Sequence, residues 1–421
     1  MTLAHRAYAT TAVAAAIALA WGCTGWGETP DPGAPASTPS ITSLLQLPEG
    51  MNLDHVGHVV VEGSTIYVVA SARSLNNGAT SRSRLILRKT LAEPWSVLWK
   101  RSATEYDYSD SEPRLLAKGD ALFWLDSVNY SSSISRWSPG DDEPRTLCSP
   151  SNTNGIPAAI AASGDRIFVF HSQAGTCSFD FRSWRIECVV PSGGSDLAAC
   201  PFDATASGDD AGEPTFLTSV LQGRPLIANG MLNAMVADGG DLYWFESVST
   251  TGKYAGANLV KYAPGALDDA GMPATEPTVV ATLDVSSYPT GLAIVGGDIY
   301  VAASTAVLED PRGLAGCALL RRAKSGSAKA FDKLVFDDSR SCRGLSADST
   351  HLWFATSWVG FEDGVVREGL ARLSIASQSS FPEALVVDRS GISLSDTVTS
   401  GENLMVSSAG GLLQVPKSLV P

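Results

Sequence analysis

One short run recurs seven times along this chain of 421 residues. A pair of turn residues is followed by an aliphatic residue, an aromatic or large apolar residue, and more apolar residues. The copies are Gly63–Val68, Gly119–Trp124, Gly164–Val169, Gly240–Trp244, Gly297–Val301, Ser349–Phe354 and Gly401–Val406. The aliphatic anchors are Ile66, Leu122, Ile167, Leu242, Ile299, Leu352 and Leu404, a mean step of about 56 residues. A fixed period of this size marks one supersecondary unit repeated, and a four-stranded propeller blade needs roughly 40 to 50 residues. The step from Ile167 to Leu242 is the longest and implies an insertion.

The anchor runs are apolar on both faces, as in Leu122-Phe123-Trp124-Leu125. A strand covered on both sides reads this way, and neighbouring blades supply such cover. The small turn residues ahead of each run favour turn then strand over a buried helix. Further apolar runs precede and follow the anchors, for example Gly291–Val295 before Ile299 and Leu319-Leu320-Arg321 after it. The unit is therefore a blade of four strands. The last copy lacks a fourth strand before Pro421, while an orphan strand occupies 41–47. Pairing the two would close a ring and hide two sheet edges. The expected fold is all-β, a seven-bladed propeller closed by its N-terminal strand. The rival count is six blades with an irregular region near 170–230.

Three segments follow: residues 1–22, 23–40 and 41–421. Arg6, an Ala-rich apolar stretch over about 9–20 and the small residue Gly22 before Cys23 read as a secretory signal, too short to be a membrane span. Cys23 is the expected lipidation site. Residues 24–40 hold four prolines among Gly, Ser and Thr, an extended tether. The expected address is outside the cytoplasm: an outer-membrane-anchored lipoprotein, or a periplasmic or extracellular protein. The membrane is met only through a lipid anchor.

Net charge is −14. With no basic cluster expected, nucleic acid is a poor partner. Beyond Cys23 there are six cysteines, an even number that permits three disulfides in an exported chain. Blade topology favours Cys148–Cys177, Cys188–Cys200 and Cys317–Cys342, with Cys342 placed in the loop after the fifth blade. Buried free thiols are the alternative. No Cys-x-x-Cys pair suggests a metal.

The chain carries no Gly-x-Ser-x-Gly, His-Glu-x-x-His, phosphate loop or dinucleotide fingerprint. No catalytic residue, metal site or cofactor is therefore expected. Acidic clusters at Glu105, Asp107, Asp110 and Glu112, and at Asp203, Asp209, Asp210 and Glu213, could hold calcium but lack the EF-hand spacing; solvated loops are the simpler reading. His55 and His58 are expected to flank the start of the first inner strand, near the central channel. Arg114, Tyr288 and Arg343 are the other side chains whose convergence there would favour an enzyme.

The segments joining second and third strands, about 71–84, 126–133, 171–183, 246–257, 303–316 and 356–368, read as long polar loops on one face. Tyr130, Phe181, Tyr254, Trp358 and Phe361 stud them. Loops on a rigid scaffold are where binding concentrates. Tyr130, Tyr254, Trp358 and Phe361, with His55 and Arg343, are the candidate ligand-binding residues.

Small turn residues, then Leu or Ile, then Tyr-Trp or Phe-Trp, then a basic residue in the next strand resembles the YWTD/NHL-type bacterial propellers. Gly240-Asp241-Leu242-Tyr243-Trp244 is the copy most like them. The resemblance covers roughly 41–421. It departs from YWTD domains, which have six blades and an Asp after the Thr; only Asp126 approximates that residue. With the leader, the whole is similar to secreted propeller lipoproteins. The resemblance implies a binding scaffold, and the aromatic loop face makes a protein or glycan the expected ligand. The alternative is a propeller enzyme, a lyase or hydrolase, with a site at the central channel.

Overall fold

A computed structural model describes residues 40–421 apart from 77–78, 91–92, 104–112, 129–130, 149–154, 164–165, 174–182, 192–234, 251–252, 264–276, 306–315, 328, 360–363, 377–379, 389–393 and 409. The architecture is an all-β propeller. Strand β1 is Thr42–Ser43. The first sheet holds β2 (Met51–Glu62), β3 (Thr65–Asn76), β4 (Ala79–Lys89) and β5 (Ser96–Ala103), in that order. The second holds β6 (Arg114–Lys118), β7 (Ala121–Val128), β8 (Ser131–Trp137) and β9 (Arg145–Cys148). The third has three strands, β10 (Gly155–Ser163), β11 (Arg166–Gln173) and β12 (Ser183–Pro191).

The fourth holds β13 (Met235–Asp238), β14 (Asp241–Thr250), β15 (Lys253–Tyr262) and β16 (Thr278–Leu283). The fifth holds β17 (Ser287–Val295), β18 (Asp298–Thr305), β19 (Gly316–Ala323) and β20 (Asp332–Asp337). The sixth holds β21 (Arg340–Ala347), β22 (His351–Val359), β23 (Val366–Ser374) and β24 (Ala384–Asp388). The last runs β25 (Leu394–Ser400), β26 (Asn403–Ser408), β27 (Gly411–Pro416) and then β1. Among the described residues six sheets thus have four strands and one has three. Every pairing is antiparallel between neighbours in this order.

The seven anchors all lie in second strands and are buried. Apolar clusters bridge adjoining sheets. Tyr67, Val69 and Ile86 pack with Leu122 and Trp124, Phe123 packs with Ile160 and Ile167, and Val68 packs with Met405 and Leu412. Each large buried side chain is worth about 1.5–3 kcal/mol, so the faces between sheets hold the fold together. First strands neighbour one another in sequence: β2 with β6, β6 with β10, β10 with β13, β13 with β17, β17 with β21, β21 with β25, and β25 with β2. The approach of β17 to β21 is close enough that a Cβ on Gly291 would lie 2.6 Å from the Leu345 Cβ. That position excludes any larger residue.

Residues 41–47 do not all join the edge of the last sheet. Thr42 and Ser43 pair with Gln414 and Leu413, and the Leu44 amide donates to the Leu412 carbonyl at 2.9 Å. The strand is shorter than expected because the chain then turns onto the first sheet. Leu45 and Leu47 pack there against the cluster of Ala70, Leu85 and Leu87, and Trp95 Nε1 donates to the Leu44 carbonyl at 2.6 Å.

The expected loops at 71–84, 126–133 and 246–257 are mostly strand, while most of 171–183 and 303–316 and part of 356–368 lie outside the described residues. In the first sheet the ladder runs unbroken from Ile66↔Lys89 out to Asn76↔Ala79. Here Ser and Arg occupy both strands, so the apolar pattern that marks a strand in sequence is missing while backbone pairing continues.

Candidate functional site

The two ends of the strands differ in kind. At the end where first and second strands turn, the sheets repeat one arrangement. The residue after the anchor faces a basic residue across the ladder: Tyr67 and Arg88, Phe123 and Arg136, Tyr243 and Lys261, Tyr300 and Arg321, Trp353 and Arg372. The last sheet substitutes Met405 and Gln414. The aspartate opening the second strand binds the same cation, Lys261 to Asp241 at 2.6 Å and Arg321 to Asp298 at 2.8 Å. Burial raises the pKa of the Tyr67, Tyr243 and Tyr300 hydroxyls, and the aspartate bonds raise those of Lys261 and Arg321.

Asp348 closes the corresponding turn in the sixth sheet. It accepts from the Thr350 and His351 amides, Thr350 Oγ1, Trp353 Nε1 and Lys417 Nζ, all at 2.8–2.9 Å. Burial alone would raise its pKa, yet these donors hold it well below the usual carboxylate range. A device copied from sheet to sheet builds blades.

At the other end lie the hairpins between second and third strands and the starts of the first strands. First strands are bulged here in five sheets, at Asp54 and at 57–58, Ala158, Thr290, 344–345 and Ser395. A bulge releases residues from the ladder and re-aims them, and here they lace neighbouring sheets. His58 Nδ1 accepts from the Leu115 amide at 2.8 Å, Thr290 Oγ1 donates to the Cys342 carbonyl at 2.8 Å, and Thr397 Oγ1 donates to the Gly344 carbonyl. Asp396 accepts from the Thr397 and Val59 amides, with Arg114 close enough to favour its charge. Burial outweighs these and pushes its pKa up to about 6.

The sequence-derived candidates fall as follows. His55 and His58 lie inside β2 rather than flanking its start; His55 sits opposite Ser71. His58 is buried between two first strands. Arg343 lies on β21, and one guanidinium nitrogen reaches both Glu368 oxygens at 2.7 Å. Arg114 starts β6 and Tyr288 lies on β17, where burial raises the pKa of its hydroxyl.

Trp358 is on β22 rather than in a loop. The Arg340 guanidinium stacks on its ring at 5.0 Å, and the ring edge is so close to Gly369 that a Cβ there would meet it at 3.1 Å. Tyr254 is at the start of β15, with its backbone paired to Ser249. Tyr130, Phe181, Phe361, Cys23, Cys177, Cys200 and both acidic clusters lie outside the described residues, as do the side chains of Cys148 and Cys188. Among the described residues no group of three His, Cys, Asp or Glu side chains is placed to hold a metal.

Cys317 and Cys342 form a disulfide with a Cα–Cα separation of 5.2 Å. Cys342 is not in a loop. It sits in β21, buried like its partner on β19, so the bond staples the fifth sheet to the sixth. The expectation failed on its location because polar Arg340, Ser341 and Arg343 disguise the start of a first strand.

No family model matches the chain, and no curated protein matches it. Solved propellers are similar in fold. Pyrococcus horikoshii acylaminoacyl peptidase aligns with 10% identity and a TM-score of 0.49, over 84% of this chain and 49% of its own. The β-propeller domain of the Trilobed protease from Pyrococcus furiosus, described as having an open velcro topology, aligns with 8% identity and a TM-score of 0.45, over 89% and 92%. Drosophila Plexin A, solved in complex with Semaphorin 1b, aligns with 10% identity and a TM-score of 0.47, over 90% and 88%. The chain spans about half the length of the acylaminoacyl peptidase chains.

Proposed function

We propose that this chain is an exported seven-bladed propeller, closed by its N-terminal strand, that serves as a binding scaffold for a protein or glycan at its hairpin end. The contrast between the two ends carries this reading. One end repeats an aromatic–cation pair in five sheets, completed by an aspartate in the fourth and fifth, whereas the other presents elongated hairpins whose residues differ from sheet to sheet. Rigid repeated framework and variable projecting segments are the division of labour expected of a recognition scaffold. The first strands adjoining in a cycle, and the pairing of Thr42 with Gln414, support the seven-bladed count and the closure.

The leader at 1–22 and Cys23 support export and a lipid anchor at the outer membrane. The Cys317–Cys342 disulfide agrees with an oxidising compartment. Arg343 is tied to Glu368 within its own sheet and Arg114 neighbours Asp396, so both first-strand arginines have carboxylate partners. This favours a scaffold over an enzyme acting at the channel.

The test is affinity capture by immobilised intact protein from envelope extract, with a glycan array in parallel. The expected result is enrichment of a discrete protein or glycan, weakened when Tyr254 on the β14–β15 hairpin is changed to Ser. No enrichment by intact protein in either arm sinks the proposal.

A further inference from the structure

The charge is not evenly spread, contrary to the sequence expectation. Residues 63–104 contain seven basic residues and one acidic residue, Glu93, a local charge of +6 in a chain of −14. Folding concentrates part of that excess. Arg73 on β3 lies directly opposite Arg82 on β4, and Arg84 lies between Ser71 on β3 and Arg101 on β5. Side chains two apart on a strand share a face, so Arg73, Arg82, Arg84 and Arg101 share one face of the first sheet at its hairpin end. The Arg73 and Arg82 side chains are 48% and 41% exposed.

We infer that this arginine face binds an acidic polysaccharide, with Arg73 and Arg82 receiving its carboxylates. The inference deepens the scaffold reading and rests on the hairpin end being the binding end. Like charges directly opposite on adjacent strands are destabilising, so Arg73↔Arg82 is a costly choice for a ladder position that packing does not dictate. Asp54, thrown out of β2 by a bulge, accepts from Arg73 Nε at 2.8 Å and stands 3.8 Å from Arg82, which orients the front pair. Behind them Arg84 Nη1 donates to Ser71 Oγ at 2.7 Å and Arg101 binds Asp126 at 2.5 Å, so the second row is held in place.

All four cations are arginines. Their planar forks match carboxylates bidentately, whereas a lysine would offer only a point charge. The ridge is small, about 5 Å across the strands and about 7 Å along them. The rest of the chain carries −20, which repels a ligand as densely charged as nucleic acid. A polymer with sparser carboxylates can lay a few of them on the ridge.

The test titrates the intact protein with polygalacturonate, neutral dextran and double-stranded DNA, whose charges lie about 1.7 Å apart along the axis, at low and high salt. The inference expects saturable binding of polygalacturonate that weakens with salt, no binding of dextran and weaker binding of DNA. Arg73→Ser with Arg82→Ser should cost at least tenfold in affinity. Arg73→Lys with Arg82→Lys, which keeps the charge, should still cost several-fold. Lys100→Ser, on the other face of β5, should leave affinity unchanged, and unfolding midpoints show whether each variant is folded. Absent polygalacturonate binding, equal binding by the folded double serine variant, or DNA binding as tight as polygalacturonate overturns it. If polygalacturonate fails while affinity capture yields a partner, this inference falls and the scaffold reading stands.

Discussion

The Leu115 amide donates to His58 Nδ1 at 2.8 Å, joining the first strands of two adjacent sheets. The site is buried, so the amide has no water to turn to. His58→Ala should therefore cost about 1–3 kcal/mol, the usual result of stranding a buried donor. Urea unfolding of the two proteins at pH 7 measures it. A variant equal to the parent in stability would show that this lacing contributes nothing.

The disulfide joins positions 25 apart in sequence but in different sheets. Removing a cross-link over a loop of that length is worth about 3 kcal/mol in the chain-entropy view. Both cysteines are buried at the packed face between sheets, so Cys342→Ala also removes buried packing volume there. The expected outcome is a lower urea midpoint for Cys342→Ala and for protein unfolded in reductant, with β-sheet circular dichroism of the native variant unchanged. Equal midpoints with and without reductant would remove the staple from any account of stability.

Asp396 makes stability depend on pH in an unusual direction. An aspartate in the unfolded chain titrates near 3.9, whereas burial pushes Asp396 to about 6 in the fold. Between those values the folded state holds more protons than the unfolded state, so this group's contribution falls as pH rises from about 4 to 6 and is level above. Two units correspond to roughly 3 kcal/mol. Asp348 acts oppositely and at lower pH, since its depressed pKa makes stability fall on acidification below about 4. Asp396→Asn keeps an oxygen to accept from the backbone but does not titrate. It should flatten the decline between pH 4 and 6 in a series of urea midpoints. Parallel curves for parent and variant would refute the assignment.

The blade framework was legible because its residues are chosen by burial alone. Ile66, Leu122, Leu242 and their counterparts sit in strands covered on both faces, so the apolar run betrays the strand directly. The facing cation also left a trace, since Tyr243 and Lys261 recur as a pattern wherever the ladder has the same register. The hairpin end obeys no such rule. Ser71–Asn76 and Ala79–Arg84 form strand through backbone pairing, which every residue type supplies, so their side chains read as loop. Trp358 looked available for a ligand because its partners, Arg340 and Gly369, come from neighbouring strands and only the fold brings them to it. The basic excess over 63–104 was visible in the sequence, but the whole-chain charge of −14 conceals it.

Arg343 illustrates the same point. As an arginine at the start of a first strand it invites a ligand role, yet it reaches both oxygens of Glu368 at 2.7 Å across the second strand of its own sheet. The two are unequally placed: the Glu368 side chain is 6% exposed and that of Arg343 31%. Removing the cation leaves a buried carboxylate without its ion-pair partner, a change that typically costs 3–5 kcal/mol. Replacing both by apolar residues removes the charge along with its partner and is often neutral. Arg343→Met should therefore lower stability by about 3 kcal/mol, whereas Arg343→Met with Glu368→Leu should recover most of it. Thermal and urea unfolding of the single and double variants distinguish the two roles. An Arg343→Met protein as stable as the parent would return Arg343 to the list of ligand-binding candidates, because its charge would then have no structural use.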